Sequence, residues 1–301
     1  MSATGPQRLL LDALTLPPPQ AAAAWRSWRS SSDLGRLDNG SFQLLPALAG
    51  RMPSWTADDP QQPILKGICR RAWSQNQLQR KTLTDALGVL ITAGIERVAS
   101  TGPVLWGQLY WPEGAIRPIG MVDLLVEPAA VRGTLEALLS AGWEAPKGLP
   151  DSGRTQIYFA PGVLLHSPDG GEVRLHWRAL PNTDLSIRRP EFPPLEPTEP
   201  GLIAPYKMPL EHSLVAALGG LHEDGIAWQC DALMICRQPG LRWERVAALV
   251  RSRSAQRERL AGLRGYGAAV PQAVTRTPWT SGIEWTLASG LRAYRRGKAH
   301  L

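Results

Sequence analysis

The sequence predicts an α+β fold in which a small mixed β-sheet is flanked by N-terminal and C-terminal helical lobes. Three observations carry that reading. Apolar residues recur at helical spacing through most of residues 6–80 and again after residue 207. Between them, short alternating segments centred on Asp123 and on Leu175 read as strands interleaved with helices. Residues 179–207 carry seven prolines with little apolar periodicity, the pattern of an extended linker wrapping the surface. The predicted division is an N-terminal helical lobe over residues 1–80, an α/β core over 81–180, a proline-rich linker over 181–207 and a C-terminal helical lobe over 208–301.

In the first lobe the periodicity predicts helices over 7–14, 21–29, about 42–48 and 63–79. Leu83, Leu87, Leu90 and Ile91 predict a further helix over 81–93, stopped by Gly94 and followed by a short apolar strand over 95–99. The turn Ser100-Thr101-Gly102-Pro103 leads into a helix reaching about Tyr110, with Pro103 at the first helical position, where a missing N–H costs nothing. The Asp123 strand comes after a turn at Glu113-Gly114. Val131, Leu135, Leu138 and Leu139 then predict a helix over 128–141 that ends at Gly142.

A hairpin-like pair at 156–159 and 163–166 precedes the turn Asp169-Gly170-Gly171 and a strand over 172–178. In that strand Val173, Leu175 and Trp177 face a core, while Glu172, Arg174 and His176 share the other face. Helices over 210–221, 226–237, 241–251, 255–263 and 283–294 complete the chain.

Composition narrows the function classes. With 44% hydrophobic and 20% charged residues in 301, the chain has material for one or two packed domains and none of the bias of a disordered protein. No uninterrupted apolar run approaches the roughly 18 residues of a membrane span, so no membrane contact is expected. Cys69, Cys230 and Cys236 cannot all pair and form no CxxC unit, which argues against a disulfide framework or zinc site and for a reducing cytoplasm. The net charge of +7 is concentrated in 251–264 and 292–298. Such charge suits nucleotide phosphates or an acidic protein partner. No nucleic-acid-binding motif accompanies it, so a solvated helix face is the expectation there, and most of the twelve tryptophans, Trp177 and Trp228 included, read as core anchors.

The chemistry points to residues 117–126, Arg-Pro-Ile-Gly-Met-Val-Asp-Leu-Leu-Val. Residues two apart on a strand share a face, so Met121 and Asp123 point the same way. Two carboxylates there would make a metal clamp. Two Mg²⁺ ions about 3.5–4 Å apart need several converging carboxylate oxygens, and the thioether of Met121 supplies none.

The order of elements, from helix and strand through the Ser/Thr-Gly turn and helix to the Asp strand and a later strand with one polar face, resembles the polymerase-β-like nucleotidyltransferase fold. More narrowly, Ala93-Gly94-Ile95, Tyr110-Trp111-Pro112, Arg117-Pro118-Ile119-Gly120, Asp123-Leu124-Leu125-Val126, Ala141-Gly142-Trp143 and Leu175-His176-Trp177 are similar to a large, poorly characterised bacterial family assigned as nucleotidyltransferases. Segments 209–214, 228–233 and 242–246 resemble the helical half of that family, so the likeness spans roughly residues 80–270. It implies transfer of a nucleotidyl group from a nucleoside triphosphate to a small-molecule, peptide or sugar acceptor. Mg²⁺ would be held by an Asp-x-Asp pair and a third acid on a neighbouring strand.

The sequence departs from that pattern three times. Met121 replaces the first Asp, Arg174 replaces the third acid, and Ser100-Thr101-Gly102 stands where many members carry a lysine-bearing turn. The expectation is a degenerate metal site, with catalysis weak or absent and a nucleotide or protein partner still bound. Arg174 is expected to pair with Asp123, closing the region of the absent metals. Two alternatives stay open. Asp123 with Glu172 and Thr101 would hold a single Mg²⁺ in an active enzyme, or the basic helical C-terminal half would dock an acidic partner while the core serves as scaffold.

Asp123 is thus the candidate catalytic residue, and Asp123 with Glu172 the candidate metal ligands. Ser100, Thr101, Gly102, Arg117, Arg174 and His176 are the candidate nucleotide contacts. Ser100-Thr101-Gly102 would offer backbone N–H groups at a helix N-terminus to a phosphate, or be ordinary strand-to-helix punctuation. His176 would act in proton transfer or be a structural histidine hydrogen-bonded beside Trp177. Arg117 would serve a structural ion pair or a ligand phosphate.

Overall fold

A computed structural model of the chain describes residues 5–48, 59–100, 117–145, 162–180, 192–198, 204–219 and 227–275, and within them the fold is α+β. The first helices, α1 (Gly5–Thr15) and α2 (Pro18–Ser31), pack against each other. Pro18 begins α2 because its fixed φ suits the first turn, where its missing N–H has no intrahelical partner to lose. Trp25 and Trp28 stack with ring centroids 5.2 Å apart and are almost wholly buried. Helix α3 (Asn39–Leu48) is capped by Asp38, whose carboxylate accepts from Ser41 N at 3.0 Å and from Ser41 Oγ. Burial opposes ionisation of Asp38, yet the bonds from Ser41 and Gln7 outweigh it and hold its carboxyl below the usual range.

The separate helices expected over 63–79 and 81–93 are one helix, α4 (Gln62–Thr92), 31 residues long. Gln79, Arg80, Lys81 and Thr82 contain no proline or glycine, so nothing in the covalent chain interrupts the hydrogen-bond ladder there. The helix therefore crosses position 80 and serves two cores. Leu65 and Ile68 join the core of the N- and C-terminal helices, whereas Leu83, Ala86, Leu87 and Leu90 join the core under the sheet. Gly94 ends it with φ of +74°, a value that glycine reaches without the Cβ penalty, while Ile95 N donates back to Leu90 O at 2.8 Å.

The strands are β1 (Val98–Ser100), β2 (Val122–Val126), β3 (Gly162–His166), β4 (Glu172–His176), β5 (Glu196–Pro197) and β6 (Tyr206–Lys207), in the sheet order β3-β4-β2-β1-β6-β5. Pairing is parallel for β2–β4 and β1–β6 and antiparallel elsewhere, so the sheet is mixed as predicted. Helix α5 (Val131–Ser140) packs with α4 on one face. The proline-rich stretch does more than wrap the surface. It supplies β5 and β6, with Leu195 and Ala204 buried. Pro197 is admissible because β5 is the sheet edge, where a missing N–H breaks no ladder.

Helices α6 (Leu210–Gly219), α7 (Ala227–Cys236), α8 (Trp243–Val250), α9 (Ser254–Gly262) and α10 (Gln272–Thr275) form the C-terminal half. Burial alone would disfavour the charge on Glu211, but Arg242 donates to it from Nε at 2.7 Å, Nη2 at 3.2 Å and the backbone N at 3.1 Å, and the carboxyl is held below the usual range. The basic run is drawn inward. Arg257 donates to Arg251 O at 2.6 Å, Arg259 to Leu218 O at 2.6 Å, and Arg264 to Val270 O and Pro271 O at 2.9 and 3.0 Å; Arg253 caps Leu249 O. Arg259 also lies over the Trp228 ring. The carbonyls of Leu218, Leu249 and Arg251 lie at the C-terminal ends of helices, where intrahelical partners run out. Among the described residues, no helix is long and apolar enough to cross a membrane. The helices expected over 103–110 and 283–294, the strand at 156–159 and the basic segment 292–298 lie outside the described residues.

In urea denaturation, Leu90→Ala, which empties a fully buried site on α4, is expected to cost about 2–5 kcal/mol. Leu78→Ala, on the same helix but 67% exposed, is expected to change stability by less than about 0.5 kcal/mol.

Candidate functional site

The parallel register of β2 and β4 sets Val122 beside Val173, Asp123 beside Arg174, Leu124 beside Leu175 and Leu125 beside His176. Side chains alternate, so the two faces differ in chemistry. On one face Val122, Leu124, Val126, Val173 and Leu175 are completely buried in the core shared with α4 and α5. On the other face stand Asp123, Arg174, His176 and Glu172, beside Leu125, which belongs to the core shared with the C-terminal helices.

Asp123 is buried, and its Oδ1 lies 2.7 Å from His176 Nε2, itself on a buried ring. With the carboxylate ionised, the bond requires the Nε2–H tautomer, since a carboxylate then only accepts. The side chain of Arg174 is 33% exposed, and its Nη1 lies 3.9 Å from the same Oδ1, an ion-pair distance beyond hydrogen-bond length. The expected close Asp123–Arg174 pair is thus a looser one, because the imidazole two residues along β4 takes the near position at the carboxylate. Space for that imidazole depends on β3. Gly162 pairs with His176, and a Cβ at Gly162 would lie 2.9 Å from His176 Nδ1 and 2.6 Å from Leu175 O.

The chain leading into β2 is held from both sides. Asn76 on α4 donates through Nδ2 to Arg117 O at 2.9 Å and accepts at Oδ1 from Ile119 N at 2.8 Å, so one amide pairs the backbone as a neighbouring strand would. The Arg117 guanidinium is buried at 3% exposure and makes a two-pronged bond to Asp231 on α7, Nε to Oδ1 at 3.2 Å and Nη2 to Oδ2 at 3.0 Å. Nη1 donates to Pro118 O at 2.8 Å.

Glu172, on the same face as Asp123, is half exposed and has Oε1 3.6 Å from His166 Nδ1 across the hairpin. Ser100 is buried and pairs with Leu124, so its side chain lies on the α4 face, away from Asp123. Its Oγ has no hydrogen-bond partner among the described residues. Thr101 and Gly102 lie outside them. Among the described residues, no group of three or more His, Cys, Asp and Glu side chains is arranged to hold a metal ion. The structure thus gathers Asp123, Arg174 and His176, and it holds Arg117 against Asp231. Sequence reasoning missed Asn76 and Asp231 as partners. Neither carries a local signal, since each reaches its contact across 41 to 114 residues.

A family model described as an uncharacterised nucleotidyltransferase matches residues 43–267, a stretch that includes Asn76, Arg117, Asp123, Arg174, His176 and Asp231. No curated protein and no solved structure matches the chain.

Arg117→Met leaves Asp231 without its buried partner and is expected to cost about 3–5 kcal/mol in chemical denaturation, with most of it recovered in the double variant Arg117→Met/Asp231→Leu. Gly162→Ala is expected to displace the His176 ring, seen as a change in the His176 side-chain ¹⁵N resonances, because the added Cβ would lie 2.6 Å from the backbone Leu175 O and 2.9 Å from His176 Nδ1, and the side chain is the part free to shift.

Proposed function

The chain belongs to the uncharacterised nucleotidyltransferase family, and on that premise we propose that its metal-dependent transfer chemistry is impaired or lost while the Asp123 face still receives a nucleotide. The observation that carries this reading is the convergence of His176 and Arg174 on one carboxylate oxygen, Asp123 Oδ1. Two-metal nucleotidyl transfer needs several oxygens converging on the cations. Here the position two residues before Asp123 offers a thioether, Met121, and the residue opposite it offers a guanidinium, Arg174. A positive group beside the remaining carboxylate repels a divalent cation as surely as it neutralises the acid. This donor set does not fit Mg²⁺.

Glu172 does not restore the fit. It stands two residues along β4 from Arg174, about 7 Å at strand rise, and is drawn toward His166 on the hairpin partner. What the face retains is a buried carboxylate bonded to a buried imidazole and a partly exposed guanidinium, a set suited to holding a polar, anionic ligand rather than activating a leaving group. The Asn76 and Arg117–Asp231 contacts tie the strand entry to α4 and α7.

Incubation of the purified chain with each α-labelled nucleoside triphosphate, Mg²⁺ and a cell extract is expected to give no label transfer and no pyrophosphate release above a no-protein control. Transfer abolished by Asp123→Ala would overturn the proposal.

A further inference from the structure

We propose that one exposed stripe of α4 binds single-stranded nucleic acid. This surface is separate from the Asp123 face, and the inference does not depend on what that face receives. Its first warrant is composition. Residues 60–84 hold five basic side chains, Lys66, Arg70, Arg71, Arg80 and Lys81, and no acidic one. Lys81 is engaged by Asp85 and Asp169, whereas Lys66, Arg70, Arg71 and Arg80 all stand exposed. They differ in this from Arg257, Arg259 and Arg264, which turn in to backbone carbonyls.

Helical spacing sorts these residues. Lys66, Arg70, Trp73, Gln77 and Arg80 follow one another at intervals of four, three, four and three, so at about 100° per residue they fall within roughly 80° of the circumference. The stripe runs for fourteen residues, about 21 Å of helix axis. Trp73 sits at its middle and is 50% exposed. Elsewhere the fold buries its indoles, as at Trp25, Trp28, Trp143 and Trp177. Here a helix presents one to solvent between cations.

The chemistry of the stripe selects its partner. Three cations in line attract successive phosphates, the amide of Gln77 offers hydrogen bonds, and an exposed indole face stacks on a base. Stacking needs an unpaired base, so a single strand fits and a duplex does not. A second copy of this chain would set like charges against each other. An acidic amphipathic helix would need a row of apolar anchors, and the stripe offers Trp73 alone. The other exposed apolar side chains of this part of α4, Ile64 and Leu78, lie roughly 180° and 140° round the helix from it.

The test is fluorescence anisotropy of the full chain with labelled oligouridylate, oligothymidylate and a duplex, each of about twelve nucleotides, over a range of salt. The single strands are expected to bind, with log K falling against log salt at a slope of about −2, from three cations at about 0.7 each. Arg70→Gln/Arg80→Gln is expected to bring the slope to about −0.7 and to weaken binding about tenfold or more. Trp73→Ala is expected to weaken it about fivefold or more, and Trp73→Phe to recover most of that loss. Arg97→Gln/Arg132→Gln removes the same charge from exposed sites outside α4 and is expected to leave binding within about twofold. Thermal melts establish that each variant is folded. Tighter binding of oligouridylate than of oligothymidylate supports the proposal with RNA as the source, and the reverse order supports it with DNA.

Duplex binding as tight as that of the single strands, or indifference to Trp73→Ala, overturns the single-strand assignment. Polyglutamate that binds more tightly than the oligonucleotides, with the same dependence on Arg70, Trp73 and Arg80, overturns it in favour of an acidic protein partner. Absence of binding by both single strands at low salt overturns the inference outright. None of these outcomes bears on the nucleotide reading of the Asp123 face, which label transfer tests separately.

Discussion

Strand β4 lies parallel to β2 with Asp123 opposite Arg174 and Leu125 opposite His176, and this register decides the core and the site at once. Because side chains alternate along a strand, a slip of one residue would exchange the faces. Val173 and Leu175 would leave the core they fill with Leu87 and Leu90, and Arg174 would be driven into it. Burying an unpaired guanidinium costs far more than any turn could repay, so the hydrophobic pattern locks the polar constellation in place without any attraction among the polar groups themselves. The Asp123–His176 bond is then a consequence of packing on the far side of the sheet.

Helix α4 extends that logic across the molecule. Its first half is packed with the helices of both termini and its second half with the sheet. Between these halves sits Asn76, whose amide holds the backbone on both sides of Pro118. A hydrogen-bonded proline-containing segment needs an outside partner, since Pro118 has no N–H to give. Arg117 completes the arrangement by carrying its charge to Asp231 on α7. The strand that bears Asp123 is therefore referenced to helices from both ends of the chain, which couples the geometry of its carboxylate to the stability of both cores.

Much of the fold was legible in the sequence because it rests on local rules. The helices of both lobes follow from apolar residues at helical spacing, and the segment 172–178 announced its two faces by alternation, which burial follows over Glu172–Leu175 and departs from at His176, buried on the polar face. Two departures have plain causes. The helical patterns over 63–79 and 81–93 are separated by no proline or glycine, so one continuous α4 runs through both. The prolines that made 181–207 look like a surface linker are compatible with a sheet edge, which is where β5 lies.

For the candidate site, the sequence by itself indicated which side chains could matter and which faces they share: Asp123 on one strand, with Met121 ahead of the observed β2, and Glu172, Arg174 and His176 on the other. Those are matters of period two, written in the covalent chain. Only the tertiary structure decided that His176, and not Arg174, takes the near place at Asp123, that Ser100 turns to the opposite face, and that Arg117 is committed to Asp231. Each of those outcomes depends on the relative height of separate strands or on the approach of a distant helix, and no local propensity encodes distances between segments 24 to 114 residues apart.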